Sequence, residues 1–134
     1  MTAIRVRAAL ETAVLAMSPA LSTAMENVPF TPVQGTPYQR VNVLFSEPGN
    51  QEYGGNYQEL GYMQLTLFYP LETGSGAANA RAELIRQTFK RGASFANSGL
   101  TVVIERTPEI KAGFNDGSFY VLPVKVRFYS NSNY

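Results

Sequence analysis

The chain has 134 residues, 45% of them hydrophobic and 16% charged, and eleven Lys and Arg against ten Asp and Glu give a formal charge of +1. That length suits one compact domain, read here as residues 1–134, able to bury roughly two-thirds of its unfolded surface without staples. Cys and His are both absent, which excludes disulfides, thiolate nucleophiles, Cys/His zinc sites and every imidazole-based triad. So small a charge excess suits no phosphate-neutralising role, and no nucleic-acid specificity is expected. The longest uncharged run, Thr12 to Met25, is 14 residues with Pro19 inside it, short of the roughly 20 apolar residues of a membrane span.

Thr2 to Met17 lacks Gly and Pro, and Ala3, Val6, Leu10, Ala13, Val14 and Met17 recur at three- and four-residue steps. This predicts a helix with one buried stripe. Arg5 and Arg7 ahead of Ala8-Ala9-Leu10 have the outline of a secretory signal, but Glu11 cuts the apolar run and helical spacing accounts for the same residues. Arg7 and Glu11, four apart, can pair, though in the less favourable order, and both read as a solvated flank. Ser18-Pro19 ends the helix. Ala20 to Pro37, with Pro29, Pro32, Gly35 and Pro37, is expected to be an extended surface arm, neither helix nor central strand.

Tyr38 to Phe45 alternates Val41, Val43 and Phe45 with Arg40 and Asn42, the pattern of a half-buried strand. Ser46 to Tyr57, rich in Gly, Asn and Pro, reads as a long loop. Leu60 to Tyr69 is a second strand with Met63, Leu65, Leu67 and Tyr69 on one face and Tyr62, Gln64, Thr66 and Phe68 on the other. Pro70 to Gly76 turns the chain, with Ser75 as N-cap. Ala77 to Arg91 is the second helix, with Ala78, Ala82, Ile85 and Phe89 inside, a basic last turn and Gly92 as its stop. Leu100 to Ile104 is a third strand. Asn115-Asp116-Gly117 signals a turn into Phe119 to Tyr129, where Tyr120, Leu122, Val124, Val126 and Phe128 face inward. Pro123 implies that this last strand lies at an edge or carries a bulge, and Asn131 to Tyr134 is expected to fray.

The order predicts an α+β fold: an antiparallel or mixed sheet of four to five strands, two helices packed on one face, the other face open. Tyr62, Phe68, Phe119 and Tyr129 point outward on that open face, which suits a partner subunit better than water.

Signals for chemistry are weak by comparison. Gly74-Ser75-Gly76-Ala77-Ala78-Asn79 follows a strand and opens a helix, but Asn79 occupies the third small position and no acidic residue follows about 20 positions on to hold a ribose. The carboxylate pairs Glu105/Glu109 and Glu47/Glu52 have no apolar wall in the sequence around them. Asn115-Asp116-Gly117 lacks the spaced acids of a calcium loop, and Glu83 interrupts the cluster of Arg81, Arg86, Lys90 and Arg91. No catalytic residue, cofactor or metal is expected.

Two segments resemble a known family. Ala24-Met25-Glu26-Asn27-Val28-Pro29-Phe30-Thr31-Pro32, followed by Tyr38-Gln39-Arg40-Val41, is similar to the N-terminal signature of the phage tail terminator-like (tail completion) proteins. Asp116-Gly117-Ser118-Phe119-Tyr120-Val121-Leu122-Pro123-Val124-Lys125-Val126 is similar to their closing strand. Met25 stands where the family often has Trp, so no indole contact carries over. The resemblance implies a non-enzymatic virion tail protein, made in the host cytoplasm, that caps the tail tube as a hexameric ring, stops its polymerisation and offers a surface for head attachment. Its partners would be further copies of itself, the tail tube protein and a head-tail connector protein.

Exposure, in place of any family site pattern, selects the candidate contacts. Tyr62, Phe68, Lys125, Arg127 and Tyr129 are expected at the subunit interface. Glu47, Glu52, Tyr53, Tyr57, Arg86, Lys90 and Arg91 are expected to dock the tube or neck. Two other readings remain: a different neck, head-tail joining or tail tube component, or a small-ligand-binding α+β domain whose pocket gathers Glu105, Tyr120 or Arg81.

Overall fold

The computed structural model describes the chain except residues 1, 19–20, 27, 34, 47–55, 72–73, 75, 98 and 134. Helix α1 is Thr2–Leu15 and α2 is Gly76–Thr88. The strands are β1 Ser22–Ala24, β2 Tyr38–Phe45, β3 Asn56–Pro70, β4 Ser94–Asn97, β5 Leu100–Ile104, β6 Glu109–Ile110, β7 Phe114–Asp116 and β8 Phe119–Asn133. They form one mixed sheet in the order β1-β2-β3-β8-β5-β4, with β6 and β7 also paired to β8. The α+β class stands, but eight strands are described where four to five were expected. The surplus consists of β1, β4, β6 and β7, two to four residues each. Segments that short carry no readable alternation; their longer neighbours recruit them by presenting backbone groups that need partners.

Both helices pack on one sheet face. Val6, Leu10, Val14 and Met17 join Ala78, Ala82, Ile85 and Phe89 in a buried cluster with Val41, Val43, Met63, Leu65, Leu67, Val124, Val126 and Phe128. The α1 stripe differs from expectation at one end. Ala3 is exposed, whereas Ala9, three residues after Val6 and four before Ala13, is buried. Helix α2 stops at Thr88, not Arg91, because the chain turns there and the Gly92 N–H donates to the Ile104 carbonyl at 2.9 Å.

The β3/β8 pair is the spine of the sheet, in register from Asn56 opposite Asn133 to Pro70 opposite Phe119. Asn56 and Tyr57 therefore belong to a strand and not to the preceding loop, and Asn131–Asn133 continue the ladder where a frayed tail was expected. Each segment supplies the partner the other's backbone requires. Pro123 does not mark an edge strand, since β8 is central. The Pro123 carbonyl accepts the Lys111 N–H at 2.9 Å, so its nitrogen faces the same side, where β6 has ended at Ile110 and β7 has not begun at Phe114. The Lys111–Pro123 pair therefore makes one of the two bonds that an antiparallel pair exchanges, and β6 ends there. The β7–β8 hairpin turns through Gly117, whose φ of 59° is the left-handed value glycine tolerates.

Arg7 acts on Glu11 only through its charge, and its ion pair is with Glu26. Its Nη1 lies 2.6 Å from Glu26 Oε1, which also accepts the Val43 N–H at 2.5 Å, while Arg7 Nη2 donates to the Val43 carbonyl at 3.3 Å. β1 runs parallel to β2 only as far as Arg40. Beyond that point this ion pair supplies the hydrogen bonds that an edge strand otherwise presents to solvent.

Candidate assembly surface

On the face away from the helices, cross-strand rows run Tyr38–Phe68–Val121, Arg40–Thr66–Pro123, Asn42–Gln64–Lys125 and Leu44–Tyr62–Arg127, followed by Leu60–Tyr129–Val103. The face is unevenly open. At one end Tyr38, only 5% exposed, stacks on Phe68 at 4.4 Å between ring centroids. Phe119 meets both rings edge-on, and Phe30 of the arm lies 5.0 Å from Tyr38. The arm thus roofs this end with its own chain, which corrects the expectation of a wholly uncovered face. The register explains part of it: Tyr38, Phe68 and Phe119 are distant in sequence and become neighbours once β2, β3 and β8 align, and Phe30 joins them from the arm.

The other end stays accessible. Arg127 and Leu44 are exposed, Tyr62, Lys125 and Tyr129 are half-buried, and Lys125 Nζ sits 4.2 Å from the centre of the Tyr62 ring. Four of the five expected interface residues, Tyr62, Lys125, Arg127 and Tyr129, therefore share one patch. Phe68 belongs instead to the aromatic cluster. Tyrosine and an exposed guanidinium beside apolar neighbours are the residue types that subunit interfaces favour, and the Lys125 ammonium is held over the Tyr62 ring.

The expected docking residues are scattered. Glu47, Glu52 and Tyr53 lie outside the described residues, and Tyr57 is placed by its backbone alone, opposite Ser132. Arg86 Nε donates to the Pro108 carbonyl at 3.2 Å and its Nη1 lies 3.5 Å from Glu83, so its side chain ties α2 to the segment between β5 and β6. Lys90 and Arg91 are exposed in the turn after α2.

The residues of an enzymatic pocket do not converge. Arg81 is buried, donates to Gln39 Oε1 at 3.4 Å and interacts electrostatically with Tyr69. Burial lowers the Arg81 pKa and raises that of Tyr69, each opposed by the other's charge. Gln39 Nε2 passes the connection to Thr23 Oγ1 at 3.0 Å, so the network fastens α2 to β2 and β1. Tyr120 stands opposite Tyr69. The Glu105 N–H binds the Arg127 carbonyl, seven positions along β8 from Tyr120, or about 23 Å. Among the described residues no cluster of acidic side chains suits a metal ion and no helix is long and apolar enough to cross a membrane.

Residues 5–128 match a family described as phage tail terminator protein. The chain belongs to that family. It is accordingly a structural component of the phage tail, as the resemblance of its N-terminal signature and closing strand implied. A phage tail terminator interacts with other tail or head components, and its place is the virion tail. No curated protein matches the sequence. Ten solved chains match in structure; one superposes with a TM-score of 0.74 at 23% identity, over 96% of this chain and 94% of its own, and shows the same fold.

Two features of the chain are not legible in its sequence. The roofing of the sheet by Phe30 needs the β2/β3/β8 register, and the Glu26 bond to Val43 needs the position where β1 stops. Glu26 lies within the segment Ala24 to Pro32 that resembles the family's N-terminal signature.

Proposed function

We propose that the chain caps the tail tube as a hexameric ring, ends tube polymerisation and provides the head-joining surface. The observation that carries this reading is the match to the terminator family over residues 5–128. The surface chemistry supports it. A ring requires two different complementary surfaces on every subunit, and the sheet has unlike edges, β1 on one side and β4 on the other. The patch of Tyr62, Lys125, Arg127 and Tyr129 lies between them, while Lys90 and Arg91 stand on the helical side, available for tube or neck. Termination then needs no covalent step: one surface copies what the tube end accepts, and the opposite surface withholds what the next tube ring grips.

Electron microscopy of tails assembled without this protein tests the proposal. Tubes of uncontrolled, excessive length are expected. Tails of normal length without heads would assign it to head-tail joining, and an absence of tubes would make it a tube subunit.

A further inference from the structure

Two margins of the open sheet face carry opposite charge around an exposed apolar side chain. On the β6/β7 side, Glu109 stands opposite Lys125, Phe114 opposite Val121 and Asp116 opposite Phe119, so all three share the outward parity of β8. Phe114 is 51% exposed and both carboxylates are exposed. Among the described residues Glu26, Glu83 and Glu105 each have an arginine partner, Glu11 lies in the field of Arg7, and Glu59 is buried. Glu109 and Asp116 are the described acids left without an ion pair, since Lys125 turns its ammonium over the Tyr62 ring. Across the sheet, on β2, Leu44 is 43% exposed beside Tyr62, with exposed Arg40 at one end of this margin and exposed Arg127 at the other. Neither arginine forms an ion pair among the described residues; Glu105, opposite Arg127, lies 3.8 Å from Arg106 instead.

We propose that the β6/β7 margin of one subunit packs on the β2 margin of the next, Phe114 against Leu44 and Tyr62, Asp116 facing Arg127 and Glu109 facing Arg40. The inference rests on the ring reading and names its contact. The spacings agree. By register along β8, Phe114 lies about 7 Å from Asp116 and about 14 Å from Glu109, whereas Leu44 lies about 10 Å from Arg127, two strands away, and about 14 Å from Arg40, four residues away. Lys111, the cation between Glu109 and Phe114, is exposed and bonded to Pro123, so it falls at the level of Asn42, whose side-chain carbonyl can accept from it. An aromatic side chain on an apolar patch with charges at the rim is the layout of a specific interface, and the opposite signs fix partner and register. Margin against like margin would set carboxylate on carboxylate or arginine on arginine, so the contact is head-to-tail. Such a contact propagates from copy to copy and closes when the rotation permits.

Charge reversal on either side tests the pairing. Arg40→Glu with Arg127→Glu in one chain, and Glu109→Arg with Asp116→Arg in another, change exposed side chains only, so each chain should keep the wild-type melting temperature. Added alone to tail tubes, each sets like charges against one another and should form rings at least tenfold more weakly than wild type. An equimolar mixture restores opposite signs at every contact in alternation and should recover hexamers, as should one chain carrying all four changes. Cross-linking locates the contact independently, because the chain has no cysteine of its own. Asn42→Cys and Lys111→Cys, about 16 Å apart within one copy, should join only to a dimer when the single variants are mixed on tubes with a short bismaleimide, and the double variant should give a ladder up to hexamer. Full rings from either reversed chain alone, or wild-type-sized rings with no cross-link between positions 42 and 111, would overturn the contact and leave the ring standing. A wild-type chain that forms no ring on tube tips would overturn both.

Discussion

Arg7 and Glu26, 19 residues apart, form a 2.6 Å ion pair that closes over the backbone of Val43. It ties the first turns of α1, the end of β1 and the middle of β2 into one unit. Charge-assisted bonds to backbone are stronger than exposed ion pairs, although both side chains keep about a third of their exposure. Arg7→Ala should therefore cost about 1–2 kcal/mol, read as a fall of about 4–8 °C in melting temperature. An unchanged melting temperature would show that the edge needs no such cover.

The same pair sets an acid limit. Burial pushes the Glu26 carboxyl up, but the Val43 N–H and Arg7 outweigh it and hold its pKa below the ordinary 4.5. A depressed carboxylate contributes its full stability above the unfolded value and loses it as the pH falls through the folded one. Wild type should lose stability steeply below about pH 4.5, and Glu26→Gln should be less stable than wild type at pH 7 yet lose less on acidification. Denaturant unfolding at pH 7 and pH 3.5 measures both slopes.

Glu59 should behave in the opposite sense. It is 9% exposed, on the helix-facing side of β3 opposite Ser130, whose hydroxyl is committed to the Thr101 carbonyl at 2.8 Å. Burial raises its pKa above 4.5, so the ionised form opposes folding at neutral pH and the penalty fades as the pH falls toward the unfolded value. Glu59→Gln should raise the melting temperature at pH 7 and give no gain at pH 4. A loss at pH 7 would contradict the assignment.

The long elements were readable because their periodicity is long. Val41, Val43, Met63, Leu65 and Leu67 alternate over enough residues to declare a face, and Ala78, Ala82, Ile85 and Phe89 repeat over a full helix. The short strands were not. Ser94–Asn97 has no pattern of its own and becomes β4 because β5 offers it a ladder from Leu100 to Val103. Pro123 misled for a similar reason: proline statistics describe whole strands, whereas its neighbours β6 and β7 simply leave a gap beside it. Likewise the patch around Tyr62 and Lys125 was partly legible from outward parity, but its separation from Phe68 depends on where the arm lies.

Gly61 is required by a close approach. A Cβ there would lie 2.2 Å from the Leu44 carbonyl oxygen and about 3 Å from Phe128 and Phe45, whose rings meet edge-on across the strand at 5.9 Å. Gly61→Ala should cost about 2–4 kcal/mol, whereas Gly99→Ala, with open space at its Cβ but φ of +83°, should cost about 1–2 kcal/mol. Equal denaturation midpoints for the two variants would show that β2 yields without strain.

Reversing exposed charges separates assembly from folding. Arg127→Glu and the pair Lys90→Glu with Arg91→Glu should each shift stability by no more than about 0.5 kcal/mol. The first should abolish ring closure, and the second should spare the free ring and weaken its attachment to tube or neck. Arg86 differs, because Arg86→Glu removes its bond to the Pro108 carbonyl and should lower the melting temperature as well. Co-sedimentation with tail tubes, beside thermal unfolding, reads both effects.

The central claim is that the chain stops a growing tube by sitting on its end. Purified protein added to polymerising tail tube subunits, with lengths and gold-labelled positions scored by electron microscopy, tests it most directly. Elongation should cease, with label confined to one end of each tube and about six copies there. Label distributed along the tubes, or tubes that lengthen unchanged past a labelled end, would contradict the account.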